Sequence, residues 1–261
     1  MSQVARLVVT RQPAQASELE SGLREAGVGV EFLPVTDFAL PEDRSALYES
    51  VDRLGSGIYQ WLLITSPNAA RALVHAGWDG LLPSTTALAV TGPGTARTVA
   101  ALGCHSTPWM PREASARGLR EGFPQRTHGG SAGFGSGRLL LPQSDLADPA
   151  LAEALGARGW RVDMVSAYQT VEYPADPARR LLPRAGEILD IDSWNQPGAV
   201  VLLTSASAAR EFHRRHQGAL PHLIAIGEPT ERQCRELDMP LLGTAPTPDA
   251  AGILAVLKSA S

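Results

Sequence analysis

Apolar positions along the chain fall into short unbroken runs, and most runs are followed by a stretch with helical spacing. Residues 5–10, 61–65, 87–91, 138–142, 199–204 and 223–226 are runs rich in Leu, Val, Ile and Ala with little alternation, and 28–35 and 161–168 read as further extended segments. Strands covered on both faces read this way. The segment 15–26 places Ala16, Leu19, Leu23 and Ala26 at helical spacing and stops at Gly27, which predicts a helix. Helices are likewise predicted at 45–54, 68–76, 95–102, 149–157, 208–216 and 249–258, with a weaker one at 115–122. Residues 177–194 read as a variable connection with some helix. Strands alternating with helices indicate an α/β architecture with parallel sheets, and 5–35 forms one β-α-β unit whose crossover should be right-handed.

Two strand-to-helix turns occur twice. Thr65, Ser66, Pro67 and Asn68 are answered by Thr204, Ser205, Ala206 and Ser207, and Gly92-Pro93-Gly94-Thr95 by Gly227-Glu228-Pro229-Thr230. Ser205 follows Ser66 by 139 positions and Thr230 follows Thr95 by 135, so the spacing hardly drifts. A repeat of this length reads as two copies of one domain design. The pattern breaks at 37–43, with Pro41 and acidic residues, which places one crossing between domains near 35–40, and 169–174 reads as a second. A lone β-α-β unit is too small to stand by itself. One domain is therefore expected at 38–167, inserted into another built from 1–34 plus 172–261, with linkers at about 35–37 and 168–171.

At 261 residues, 44% of them hydrophobic, the chain can bury two modest cores. No apolar run approaches the roughly 20 residues that cross a bilayer, and the start lacks the apolar core of a secretory signal. A cytoplasmic protein with no membrane partner is expected. Cys104 and Cys234 each follow one copy of the Gly-x-x-Thr turn and are expected in separate domains, as buried thiols and not as a disulfide or zinc site. The net charge of −4 argues against nucleic acid, which requires a basic face. An anionic ligand would have to be held by local backbone dipoles and a few arginines. Glycines 129–137 precede a strand and follow none, so they read as a surface loop and not as a phosphate cradle.

In open parallel sheets, ligands bind beyond the carboxyl ends of the strands, where helix N-termini point. Thr10 and Arg11, Thr65 and Ser66, Thr91 to Thr95, Gln143 and Ser144, Thr204 to Ser207, and Gly227 to Thr230 all fall there. Free N–H groups with Ser and Thr hydroxyls attract carboxylate or phosphate. The competing role for each of these residues is helix capping. The six histidines show no metal spacing; Glu187, Asp190 and Asp192 read as solvated. No Walker loop, nucleophile elbow or Gly-x-Gly-x-x-Gly after a strand is present. Tyr168 ends a strand at the second crossing, where its phenol could face a ligand.

Together Val8-Val9-Thr10-Arg11, Ile64-Thr65-Ser66-Pro67-Asn68-Ala69, Gly92-Pro93-Gly94-Thr95-Ala96, Ala167-Tyr168, Leu203-Thr204-Ser205-Ala206-Ser207-Ala208 and Ile226-Gly227-Glu228-Pro229-Thr230 resemble the uroporphyrinogen-III synthase family over nearly the whole chain. The resemblance implies two flavodoxin-like doubly wound parallel-sheet domains, joined by a two-stranded linker, with substrate held in the cleft between them. It implies a lyase that cyclises hydroxymethylbilane, a linear tetrapyrrole, to uroporphyrinogen III with loss of water and inversion of the last ring. No cofactor or metal is expected, and the protein is expected to be a monomer. Loss of the terminal hydroxyl gives an electrophilic azafulvene, which closes through a spiro intermediate. By the same resemblance, Tyr168 hydrogen-bonds the departing hydroxyl, and Arg11, Ser66, Gly92, Thr95, Ser205, Gly227 and Thr230 bind substrate. Because the substrate cyclises unaided to the wrong isomer, positioning should matter more than acid catalysis. Gln143-Ser144 stands where many relatives carry a basic residue and glycine, so that turn offers no cation to a carboxylate. Two other readings share these features: a non-catalytic two-lobed binding protein for a polyanionic small ligand, and a nucleotide-dependent transferase with two Rossmann-like domains, for which a phosphate loop is lacking.

Overall fold

The apolar runs form strands of parallel sheets, and neighbouring residues of one run feed cores on opposite faces. The computed structural model describes residues 6–126, 136–184, 186–194, 196 and 198–259. In chain order the elements are β1 (Arg6–Val9), α1 (Ser17–Glu25), β2 (Gly29–Phe32), β3 (Thr36–Ala39), α2 (Ser45–Gly55), β4 (Trp61–Ile64), α3 (Pro67–His75), β5 (Ala87–Val90), α4 (Pro93–Ala101), α5 (Ala116–Gly122), β6 (Arg138–Ser144), α6 (Ala150–Ala157), β7 (Arg161–Glu172), β8 (Val200–Leu203), α7 (Ala206–Arg215), β9 (His222–Ala225), α8 (Glu228–Glu236), β10 (Leu241–Thr244) and α9 (Ala250–Ser259). They divide into two compact units. The first comprises the described residues of Met1–Asp37, Val171–Asp176 and Leu182–Ser261; the second comprises those of Phe38–Thr170 and Pro177–Leu181.

In the first unit the sheet order is β10-β9-β8-β1-β2, and all four pairings are parallel. Leu7, Val9, Leu202 and Ile224 point to a core closed by α1 and α9 through Leu19, Leu23, Ile253 and Val256. Val8, Val201, Leu203 and Leu223 point the other way, onto Ala208, Phe212 and Cys234 of α7 and α8. This two-sided burial explains why the runs do not alternate. Each fully buried Leu or Val contributes about 1.5–3 kcal/mol. Helix α1 stops at Gly27, whose φ of +81° is the left-handed cap that other residues resist.

In the second unit the order is β3-β7-β6-β4-β5, with parallel pairing of β5 to β4, β4 to β6 and β6 to β7. Leu62, Ile64, Leu88 and Leu140 meet Leu47, Leu54, Leu73 and Val99 on one face. Leu63, Ala89, Leu139 and Leu141 meet Leu119, Phe123, Leu151 and Leu155 on the other. Cys104 and Cys234 are both free and buried, and among the described residues no helix is long and apolar enough to cross a membrane.

Three expectations need correction. The sequence pattern simply breaks at 37–43, yet Thr36–Ala39 is a strand beside β7. Its Asp37 is fully buried, accepting from Gln12 Nε2 at 2.5 Å and from the Ala175 N–H at 2.9 Å. Residues 177–194 contain no helix among those described; Leu181, Leu182, Ile191 and Trp194 are buried there instead. Strand β10 has no counterpart among the apolar runs, because Leu241–Thr244 is half-exposed at a sheet edge and carries a glycine. Residues 127–135, with most of the glycine-rich loop, lie outside the described residues.

Tyr59, just before β4, is buried with no hydrogen-bond partner for its hydroxyl among the described residues. Arg53 lies over its ring at 5.6 Å and pairs with Asp163 at 2.8 Å, and Asp163 also pairs with Arg138 at 3.1 Å. Burial, then the Asp163 charge, pushes the Tyr59 phenol up to about 12. An unfolded tyrosine ionises near 10, so this contribution is complete below that pH and is lost as pH rises towards the folded value. Urea unfolding is expected to show a loss of about 1–2 kcal/mol across that window, after discounting for solvent screening. Tyr59→Phe should remove that part of the slope.

Candidate functional site

The carboxyl ends of the strands in each unit are followed by turns that open helices, and these turns differ in how far they satisfy themselves. In the second unit Ser66 precedes α3 in an extended conformation, with Pro67 at the first helical position. Its Oγ accepts from the Ala69 N–H at 3.2 Å and lies 3.1 Å from the Tyr168 hydroxyl. Ser66 is therefore both a cap and the phenol's partner. Tyr168 is 8% exposed, with its ring edge-on to Phe38 at a centroid distance of 5.8 Å. Burial is the main cause that raises its pKa, with the nearby Asp145 charge adding to it, against the hydrogen bonds from Ser66 and Ser144. The phenol thus stays protonated across the neutral range.

Gly92 precedes α4, and no side chain caps that helix. A Cβ on Gly92 would lie 2.7 Å from the Ala114 Cβ, so close packing, not an unusual φ, requires glycine there. Thr95 is buried in the first turn of α4. Nearby, the Thr91 hydroxyl donates to the Thr65 carbonyl at 3.1 Å.

The first unit repeats the arrangement with changes. Ser205 caps α7 by accepting from the Ala208 N–H at 3.0 Å, and its Oγ lies 3.0 Å from that of Ser207. Gly227 precedes α8, which also lacks a side-chain cap. Thr230, 2% exposed, lies in its first turn. Ser205, Gly227 and Thr230 line one cavity of about 590 Å³ together with Thr204, Thr244 and Pro246. Glu228 reaches the same cavity, with Arg232 3.8 Å from its carboxylate.

The serine turns thus satisfy one helix N–H each, as the capping role requires, whereas the glycine turns leave their helix ends without a side-chain acceptor. Each uncapped end attracts negative charge by roughly 0.3–1 kcal/mol. Thr95 and Thr230 stand in the first turns of these two uncapped helices.

Arg11 follows β1 and is largely buried; among the described residues its Nη1 reaches the Gln15 carbonyl, at 3.5 Å, and burial lowers its pKa. A guanidinium held this way favours an anion beside it. Arg11 does not line the cavity of Ser205, Gly227 and Thr230. Thr10, next to it, has a structural role: its Oγ1 donates to the Leu202 carbonyl at 3.0 Å and accepts from the Thr204 N–H at 3.1 Å. The cavity wall from Thr244 to Pro248 is absent from the sequence-based candidates. The run Thr244-Ala245-Pro246-Thr247-Pro248-Asp249, a turn directly before a helix, was the available signal. Among the described residues no group of three or more His, Cys, Asp or Glu side chains is placed to hold a metal ion.

These features define an α/β protein whose parallel strands end in turns that carry backbone N–H and hydroxyl groups at helix N-termini. The family model described as Uroporphyrinogen-III synthase HemD matches residues 17–255. The chain belongs to that family, whose members are lyases of tetrapyrrole biosynthesis. Its fold is similar to that of a mutant uroporphyrinogen III synthase from the extremely thermophilic bacterium Thermus thermophilus, with a TM-score of 0.54, 17% identity and 98% of both chains covered. It is also similar to uroporphyrinogen-III synthetase from Helicobacter pylori, with a TM-score of 0.59 and 13% identity, over 98% of this chain and 99% of that one. No curated protein sequence matches significantly.

Proposed function

We propose that the chain converts hydroxymethylbilane to uroporphyrinogen III, with loss of water and inversion of the last pyrrole ring. The family match over residues 17–255 is the observation that carries this reading. The strand orders support reading each unit as a flavodoxin-like domain, with 38–167 inserted between 1–34 and 172–261.

Tyr168 donates a hydrogen bond to the departing hydroxyl. Its phenol oxygen in turn accepts from Ser66, whose oxygen is held by the Ala69 N–H; such a chain polarises its last proton. Acetate and propionate groups are bound at the uncapped ends of α4 and α8 by Thr95, Thr230 and main-chain N–H groups, with the Ser66 and Ser205 turns and Arg11 as further contacts. Glycine at 92 and 227 lets a carboxylate approach the backbone. The protein's part is mainly to fix which carbon of the last ring is attacked.

Fresh hydroxymethylbilane added to the purified protein is expected to yield the III isomer. Only the I isomer, at the rate seen without protein, sinks the reading; tight binding with no isomer selection would favour the two-lobed binding protein instead. A narrower expectation concerns Gly227. Its φ of 174° is ordinary, and a Cβ there would meet nothing within 4 Å. Gly227→Ala should therefore fold normally while raising KM about 3- to 10-fold, by displacing a carboxylate from one charge-assisted contact. Steady-state kinetics beside a melting curve check both halves.

A further inference from the structure

A third strand-end turn belongs to the repeat, although the sequence motifs do not show it. In the second unit Trp109 bridges Ala89 of β5 in parallel, and Ser115 then caps α5 by accepting from the Gly118 N–H at 3.0 Å. In the first unit Gly243 pairs with Ile224 of β9, and Asp249 accepts from the Gly252 N–H at 2.9 Å. Asp249 follows Ser115, and Gly252 follows Gly118, by 134 positions each. Both glycines answer the same need, because a Cβ would run into the carbonyl of Glu113 or of Thr247. The two copies have since diverged: Pro246 and Pro248 stand where the other copy has Arg112 and Ala114. Ala114 closes on Gly92, whereas a Cβ on Gly227 would meet nothing within 4 Å.

In the first unit that space is the cavity of about 590 Å³, with Pro246 and Pro248 exposed in its wall. Its volume falls within the roughly 300–1,000 Å³ of small-molecule sites and is more than one carboxylate fills. Ile226, Pro229 and Ala245 extend the apolar lining. The β10 turn has little to offer an anion. Two of its residues are prolines without an N–H, and the end of α9 is already occupied by the Asp249 carboxylate, which also accepts from the Thr247 hydroxyl at 2.8 Å. Glu228 adds a negative charge to the lining. Of the three turns around this cavity, only the one that opens α8 lacks a side-chain cap. One cavity thus joins a place for a single carboxylate to an apolar wall that repels a second. The ligand part that matches is an apolar ring with an acidic arm.

We propose that the turn from β10 to α9 is a specificity-determining wall of the substrate site, with Pro246 and Pro248 lying against the face of one substrate pyrrole whose acidic arm reaches the end of α8. The proposal rests on the cyclase reading. It adds that this unit takes a whole ring, held by its face as well as by its carboxylate.

The test is steady-state kinetics of the full chain with fresh hydroxymethylbilane, beside melting curves, for three replacements of Pro246. All three lose the rigidity of proline alike, so differences among them report the contact. Pro246→Ala is expected to raise KM about 2- to 5-fold through lost apolar contact, and Pro246→Leu to recover most of that loss. Pro246→Glu should raise KM about 10-fold or more, because it sets a negative charge beside the acidic arm. The three melting temperatures should agree within a few degrees. A purely structural turn would shift melting and leave the KM values equal. Equal KM in Pro246→Leu and Pro246→Glu overturns the proposal, and if these variants do not fold, KM within twofold of wild type in Pro248→Ala does so. A wild-type chain that makes no III isomer overturns the cyclase reading itself, and this contact with it. A working wild type whose KM is indifferent to Pro246 overturns the contact alone.

Discussion

Tyr168→Phe is expected to lower kcat about 100-fold, the low end of what a positioned proton donor contributes, while the melting temperature stays within a few degrees of wild type. The ring supplies the packing, in the core cluster and against Phe38, and phenylalanine keeps it. Only the hydroxyl, and with it the 3.1 Å contact to Ser66, is lost. Because burial raises the phenol's pKa, the wild-type donor should remain protonated to at least the ordinary tyrosine value near 10. Rapid-quench measurement of hydroxymethylbilane consumption, with isomer analysis of the product, checks the effect. An unchanged rate removes Tyr168 from the mechanism.

Asp37→Ala is expected to destabilise the first unit by about 2–4 kcal/mol, since it strands the Gln12 amide and the Ala175 N–H, two buried donors worth roughly 1–3 kcal/mol each when unpaired. The corresponding fall in melting temperature is about 5–15 °C. Gln12, Asp37 and Ala175 come from three separate stretches of chain, and the carboxylate ties them together. Asp37→Asn keeps the size and one acceptor, and should recover part of the loss. Calorimetry of the two variants measures both effects.

The strands with continuous apolar runs were legible because burial on both faces leaves a signal in every residue: β1, β4, β5, β8 and β9 all fall where those runs stand. The strands that were missed carry mixed signals. Asp37 looks like a loop residue by type and is a strand residue by its buried partners. Leu241–Thr244 looks weak because one edge of the strand is open. The candidate site was legible as turn positions but not as geometry. The repeat marks Ser66 and Ser205, Gly92 and Gly227 as equivalents, yet Ala114 presses on Gly92 while nothing crowds Gly227. The pairing of Ser66 with Tyr168 spans 102 positions, and no local pattern encodes it.

The position of β1 between β2 and β8 has a cost during synthesis. Strand β1 leaves the ribosome well before its second neighbour, which begins at Val200, so it presents an open, apolar edge while the residues between them are being made. Open edges invite pairing with other chains. The Thr10 hydroxyl, which fastens Leu202 and Thr204, is a latch that closes only once β8 has been made. Until then, the nascent protein depends on chaperones or on speed to keep that edge to itself.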